Sequence, residues 1–160
     1  MGKKTKSQVN NDVRTGLLEV VDPFKDFDKD QVWKYFNSTC SYCGLSLIRA
    51  NRNGHMDHLI SKHGDGINHV SNRVLACGKC NEDKLEKNDW ELFLKLKAPE
   101  GRYDEFKKRI EDWQSKNELS EDKRQQLIKL REIAIKEATK ISIPVNEAFN
   151  LLKKEKDKCV

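Results

Sequence analysis

Two cysteine pairs, Cys40-x2-Cys43 and Cys77-x2-Cys80, enclose the dipeptide Asp57-His58 and run directly into Asn81. Two residues between paired cysteines let both sulfurs reach one ion from a single tight turn, and zinc takes four such ligands tetrahedrally. A set of four thiolates leaves no open position for water, so zinc held there is structural. Free thiols or a thioredoxin-like redox pair would not explain two pairs with these residues between them. The carboxylate, imidazole and carboxamide suit other chemistry. Oxygen donors bind a hard divalent ion, and an imidazole takes a proton from water near neutral pH.

Those side chains need short elements to hold them. Tyr42 and Gly44 suit the turn of the first knuckle, as Gly78 and Lys79 suit the second. Leu45, Leu47 and Ile48 suggest a short strand, Arg49 to Gly54 a turn, His55 to Ile60 a strand, and Val70 to Ala76 a second one. Gly64 and Gly66 place a loop between these strands. A helix starts within Cys77 to Asn81 and runs through Lys84 and Leu85. Upstream, Met1 to about Asp12 reads as a loose polar arm, Val13 to Val21 as a short strand or turn, and Asp30 to Asn37 as a short helix. Downstream, Asn88 and Glu91 form the pattern of a capping box, and Tyr103, Phe106, Ile110 and Trp113 recur at helical spacing. A further helix starts at Ser120, and Pro144 opens a last one. The expected architecture is α+β, mostly helical. A small zinc-bound ββα core spans residues 36–98, between an N-terminal arm with a short helix over 1–35 and a helical extension over 99–160.

With 36% charged and 36% apolar residues the core should be modest, so metal binding should supply part of the folding energy. The net charge of +5 favours an anionic partner only weakly. No apolar run approaches the roughly 20 residues of a membrane span. No apolar stretch follows the basic start, so no secretory signal is visible and a reducing cytoplasm is the expected setting. There, paired cysteines serve as metal ligands rather than disulfides. Cys159 reads as an incidental thiol.

His55-Met56-Asp57-His58-Leu59-Ile60 resembles the first motif of the HNH endonucleases, in which an acidic residue precedes the key histidine. Fourteen positions then separate His58 from Asn72, and nine separate Asn72 from Asn81. Asn72-Arg73-Val74-Leu75-Ala76-Cys77-Gly78-Lys79-Cys80-Asn81-x-x-Lys84 follows the family's order of asparagine, apolar strand, Cys-x2-Cys-Asn and lysine. The likeness covers about Cys40 to Asn88. It implies a ββα-metal core with His58 as general base, Asp57 and Asn81 on Mg²⁺ or Mn²⁺, and Asn72 orienting the histidine's loop. Lys84 would hold either phosphate or the helix. The implied reaction is hydrolysis of DNA phosphodiesters, leaving 5′-phosphate and 3′-hydroxyl ends. One departure is Ser61, where the family often has proline.

Alone, an Asp-His pair is most often a surface feature and Asn81 a cap; their place in the ordered set changes the reading. His55, His63 and His69 read as loop or surface residues. Arg49, Arg52, Lys62, Arg73, Lys79, Lys84 and Lys87 are candidates for phosphate contacts. The expected partner is double-stranded DNA. A cutter of palindromes would need two active sites and so a homodimer, whereas a nickase would not. Restriction or phage defence is the favoured setting. The rival readings are a non-catalytic zinc module that binds nucleic acid or protein, and an RNA-directed nuclease.

Overall fold

The computed structural model describes residues 5–21, 24–61, 66–84 and 89–158. Lys62, His63, Gly64, Leu85, Lys87, Asn88 and Cys159 therefore lie outside the described residues. The chain forms two compact units, one of residues 23–124 and the other of the N-terminal helix with residues 125–160.

The chain's first helix, α1 (Lys6–Val20), belongs to the other unit; in the 23–124 unit the first is α2 (Asp26–Tyr35), whose first turn carries Asp26 and Asp28 at the positive end of the helix dipole. Strand β1 (Gly54–His58) pairs antiparallel with β2 (Arg73–Cys77), so that Asp57 faces Val74 and His58 faces Arg73. A 3₁₀ turn over Val70–Asn72 leads into β2, and α3 (Gly78–Lys84) follows it without a break. This is a ββα core inside a mostly helical α+β chain, as the sequence suggests. All five residues of β2 are buried; Val74 to Cys77 are apolar, and the buried Arg73 at its start has its polar partners described below. Helices α4 (Trp90–Lys97) and α5 (Tyr103–Lys116) complete the unit. Val32, Trp33 and Phe36 pack with Val74, Leu75, Phe93, Leu94, Phe106, Ile110 and Trp113 in one core. The Trp113 indole N–H donates to the carbonyls of Val70 and Arg73, at 3.2 and 2.9 Å, which ties α5 to the start of β2.

Several local expectations change. The segment 45–48 contributes a single bridge, Thr39 to Ser46, rather than a strand. Val70–Asn72 is a 3₁₀ turn rather than part of β2. Helix α4 is capped by Asp89, whose side chain accepts from Leu92 N, where a capping box of Asn88 and Glu91 was expected.

In the other unit, the segment read as a loose arm and short strand is helix α1 (Lys6–Val20). Thr5 and Gln8 form a capping box at its start, with Thr5 N donating to Gln8 Oε1 at 2.7 Å. Val9, Val13, Leu17 and Val21 recur every four residues, a helical period that the polar surroundings mask. Helix α6 (Glu121–Lys158) is continuous through Pro144, where two helices were expected. Proline removes one helical hydrogen bond; the helix formers on both sides, including Ala138, Lys140, Glu147 and Ala148, carry the helix across that gap. Within this unit Asn10 Nδ2 donates to Asn146 Oδ1 at 2.9 Å. Among the described residues no helix is long and apolar enough to cross a membrane.

Candidate metal centre and active site

The first knuckle closes through Gly44 N donating to Cys40 O at 2.9 Å, and Gly44 takes a positive φ of 74° that glycine adopts freely. Ser41 N and Ser41 Oγ both donate to Leu75 O at 2.7 Å, which fastens the knuckle to β2. The second knuckle forms where β2 turns into α3, with Cys80 N donating to Cys77 Sγ at 3.4 Å. All four sulfurs lie within 4.8 Å of one another, and Cys43 Sγ and Cys77 Sγ are 3.8 Å apart. Tetrahedral zinc with bonds of about 2.3 Å sets its sulfurs about 3.8 Å apart, so the donor set fits that ion. Cys40, Cys43, Cys77 and Cys80 are free of disulfides. A hydrogen bond from Cys80 lowers the Cys40 thiol to about 5, while burial pushes Cys43 up to about 11. The bond to Cys40 also pushes Cys80 upward.

Asp57 lies at the end of β1, with 7% of its surface exposed. Tyr42 Oη donates to Asp57 Oδ2 at 2.6 Å, and Lys84 Nζ lies 3.2 Å from the same oxygen. Lys84 is fully buried and also donates to the backbone carbonyl of His58. Burial raises the Asp57 carboxyl above its ordinary value, opposed by Lys84 and Tyr42. Burial holds the Tyr42 phenol well above its own, so it stays protonated and donates.

His58 is half-buried, with Nε2 3.1 Å from Asn68 Oδ1. Arg73 also donates to Asn68 Oδ1, and its other nitrogen donates to Met56 O at 2.9 Å. The register passes one to one through Asp57 and His58, without a bulge. Alternation along the strand then sends the two side chains to different partners.

Asn72 bridges the loop after the histidine. Its Oδ1 accepts from Ile60 N at 2.8 Å, and its Nδ2 donates to the carbonyls of Ile60 and Ile67, both at 2.9 Å. Its own carbonyl accepts from Leu59 N at 2.9 Å. A cleft of about 500 Å³ opens beside this loop, lined by Ile60, Asn72, Gln114, Ser115 and Arg124 among others. Asn81 is half-buried on α3, three residues before Lys84. Residues at that spacing are neighbours on a helix surface, so Asn81 shares a face with the lysine that pairs with Asp57.

The basic candidates separate by environment. Arg52 and Lys79 are exposed. Arg49 is exposed but pairs with Asp30 at 2.5 Å. Arg73 is buried, with its guanidinium 4.9 Å from the Phe24 ring centroid, and Lys84 is committed to Asp57 and His58. Sequence reasoning did not single out Tyr42 or Asn68 as members of the site. Tyr42 was visible only as a residue that suits the knuckle, and Asn68 carries no local signal.

Residues 40–87 match the family model described as HNH endonuclease. No curated protein and no solved structure matches the chain. The matched segment contains both cysteine pairs, Asp57-His58, Asn72 and Asn81, and it supports a nuclease-family function together with metal binding.

Proposed function

With residues 40–87 an HNH endonuclease segment, we propose that the protein is a metal-dependent endonuclease that hydrolyses phosphodiester bonds of double-stranded DNA. The observation that carries this reading is the family match over residues 40–87, which holds the consecutive Asp57 and His58 of β1 and, on the helix α3 that packs against that strand, Asn81.

His58 takes the proton from the attacking water, and its bond to Asn68 orients the ring. Asn72 ties the backbone of Ile60, just beyond the histidine, to its own segment. Asp57 and Asn81 would hold Mg²⁺ or Mn²⁺; their carboxylate and carboxamide oxygens are the donors such ions prefer. The bound ion supplies charge stabilisation to the phosphate and to the leaving 3′ oxygen. The products are 5′-phosphate and 3′-hydroxyl ends. Cys40, Cys43, Cys77 and Cys80 would hold structural zinc. Arg52 and Lys79, with Arg49, are the exposed groups of this set for phosphate contacts. A monomer acting this way nicks, and a homodimer cuts both strands. A cytoplasmic role in restriction or phage defence fits such an enzyme.

One observation favours a second reading. Asp57 is already neutralised by Lys84 and hydrogen-bonded by Tyr42, which would also serve a non-catalytic zinc module that only binds nucleic acid. Supercoiled plasmid incubated with Mg²⁺ separates the two. Nicking or linearisation that disappears with EDTA and in His58→Ala, with zinc content retained, supports the nuclease; binding without cleavage in all samples supports the module. Adding labelled RNA to the same reaction tests which sugar is cut.

A further inference from the structure

We infer that Tyr42 is a positioning residue through which the zinc knuckle sets the Asp57 carboxylate for a divalent ion; this rests on the reading of Asp57 as a ligand of that ion. Tyr42 stands between Cys40 and Cys43, so whatever holds the two sulfurs holds its backbone as well. Its ring is fully buried and packs edge-on against Phe93, with centroids 5.0 Å apart. The knuckle cannot rotate freely, because Ser41 is fastened to Leu75 O by two bonds of 2.7 Å. From this fixed base the phenol reaches Asp57, fifteen residues further along the chain, at 2.6 Å.

A buried tyrosine hydroxyl normally finds some partner, so its being satisfied is no argument. The choice of partner is. The hydroxyl takes Oδ2, the same oxygen that faces Lys84, and the His58 backbone N–H also bonds to the carboxylate. Two donors that converge on one oxygen from fixed positions set the carboxylate's rotation. Groups that orient a ligating carboxylate in this way typically alter metal affinity by about 10–100-fold when removed. The structural zinc and the catalytic ion would thus be coupled through one side chain.

The test compares zinc-loaded full-length wild type, Tyr42→Phe and Asp57→Asn. Zinc per chain is read by elemental analysis, Mn²⁺ binding by calorimetry, and plasmid cleavage as a function of Mn²⁺ concentration. Phenylalanine keeps the ring against Phe93 and deletes only the donor. The expected result is unchanged zinc content, Mn²⁺ affinity weakened about tenfold, and a half-saturating Mn²⁺ concentration raised in step, with cleavage at saturation much less affected. Wild-type Mn²⁺ affinity in Tyr42→Phe, alongside weakened binding in Asp57→Asn, would overturn the role of Tyr42 and leave Asp57 as ligand. Unchanged binding in Asp57→Asn would overturn both. Loss of zinc from Tyr42→Phe would also overturn the proposal, because the hydroxyl would then serve folding rather than the carboxylate.

Discussion

Lys84 Nζ lies 3.2 Å from Asp57 Oδ2, with 0% and 8% of the two side chains exposed. The carboxylate near the end of β1 and the ammonium at the end of α3 therefore form a buried ion pair beside the histidine. Removing one partner of such a pair costs far more than the pair itself contributes, because the remaining charge is left uncompensated. Lys84→Met should lose about 3–5 kcal/mol of stability in denaturant titration. Adding Asp57→Asn to that variant should restore a large part of it. Equal instability of the single and double variants would show that the cost lies in packing rather than charge.

The Asn72 side chain makes three hydrogen bonds to the backbone of Ile60 and Ile67. Asn72→Ala should cost about 1–3 kcal/mol, the penalty for leaving a buried polar group unpaired. Faster amide exchange at Ile60 would locate the damage. Cleavage should fall as well, since His58 lies two residues before Ile60 on the same segment.

Gly66 permits a close backbone approach. A Cβ there would lie 1.9 Å from Ile60 O and 2.7 Å from Ser61 O. Neither neighbour is a side-chain tip that could swing aside. Gly66→Ala should therefore displace the loop after β1 and reduce cleavage at least as much as Asn72→Ala does, while zinc content stays at one per chain. Wild-type cleavage in that variant would show that the loop tolerates a backbone shift.

His69 caps the 3₁₀ turn before β2: its Nδ1 accepts from Ser71 N at 3.3 Å and lies 3.0 Å from Ser71 Oγ. Burial lowers its pKa below 6.5. As pH falls through 6.5, the unfolded chain takes up this proton before the folded one does, so the folded state loses stability. The contribution is present above 6.5 and declines as pH falls through the lower folded value. Asparagine caps without titrating. The stability difference between wild type and His69→Asn should thus narrow or reverse on acidification, measured by thermal melts across that range.

Zinc removal should unfold the 23–124 core, because binding energy at such a site is folding energy. The Cys43 and Cys80 thiols are held above their ordinary range in the absence of a cation, so loading zinc releases protons. Zinc affinity in chelator competition should therefore fall as the buffer is made more acidic. A pH-independent affinity would show that the thiols are already ionised.

The sequence alone carried the four-cysteine metal site and the order of its motifs along the chain. Cys-x2-Cys spacing is set by the reach of two sulfurs from one turn, so it is legible without a fold, and β2 announces itself because a strand buried on both faces needs an apolar run, here Val74 to Cys77. The helical period of Tyr103, Phe106, Ile110 and Trp113 was legible for the same reason. Elements whose pattern is weak were not: α1 hides its four-residue repeat among polar neighbours, and α6 runs through a proline that local rules read as a start. Tertiary structure decided what each polar side chain is for. Lys84 and Arg73 looked like phosphate contacts, yet both are buried against partners that their own segments do not contain. Tyr42 and Asp57 stand fifteen residues apart, and their bond exists only because the knuckle is pinned to one strand while the carboxylate sits on its neighbour. Spacing along a chain encodes which residues can share an ion; only packing in three dimensions determines which charges are neutralised and which remain free to act.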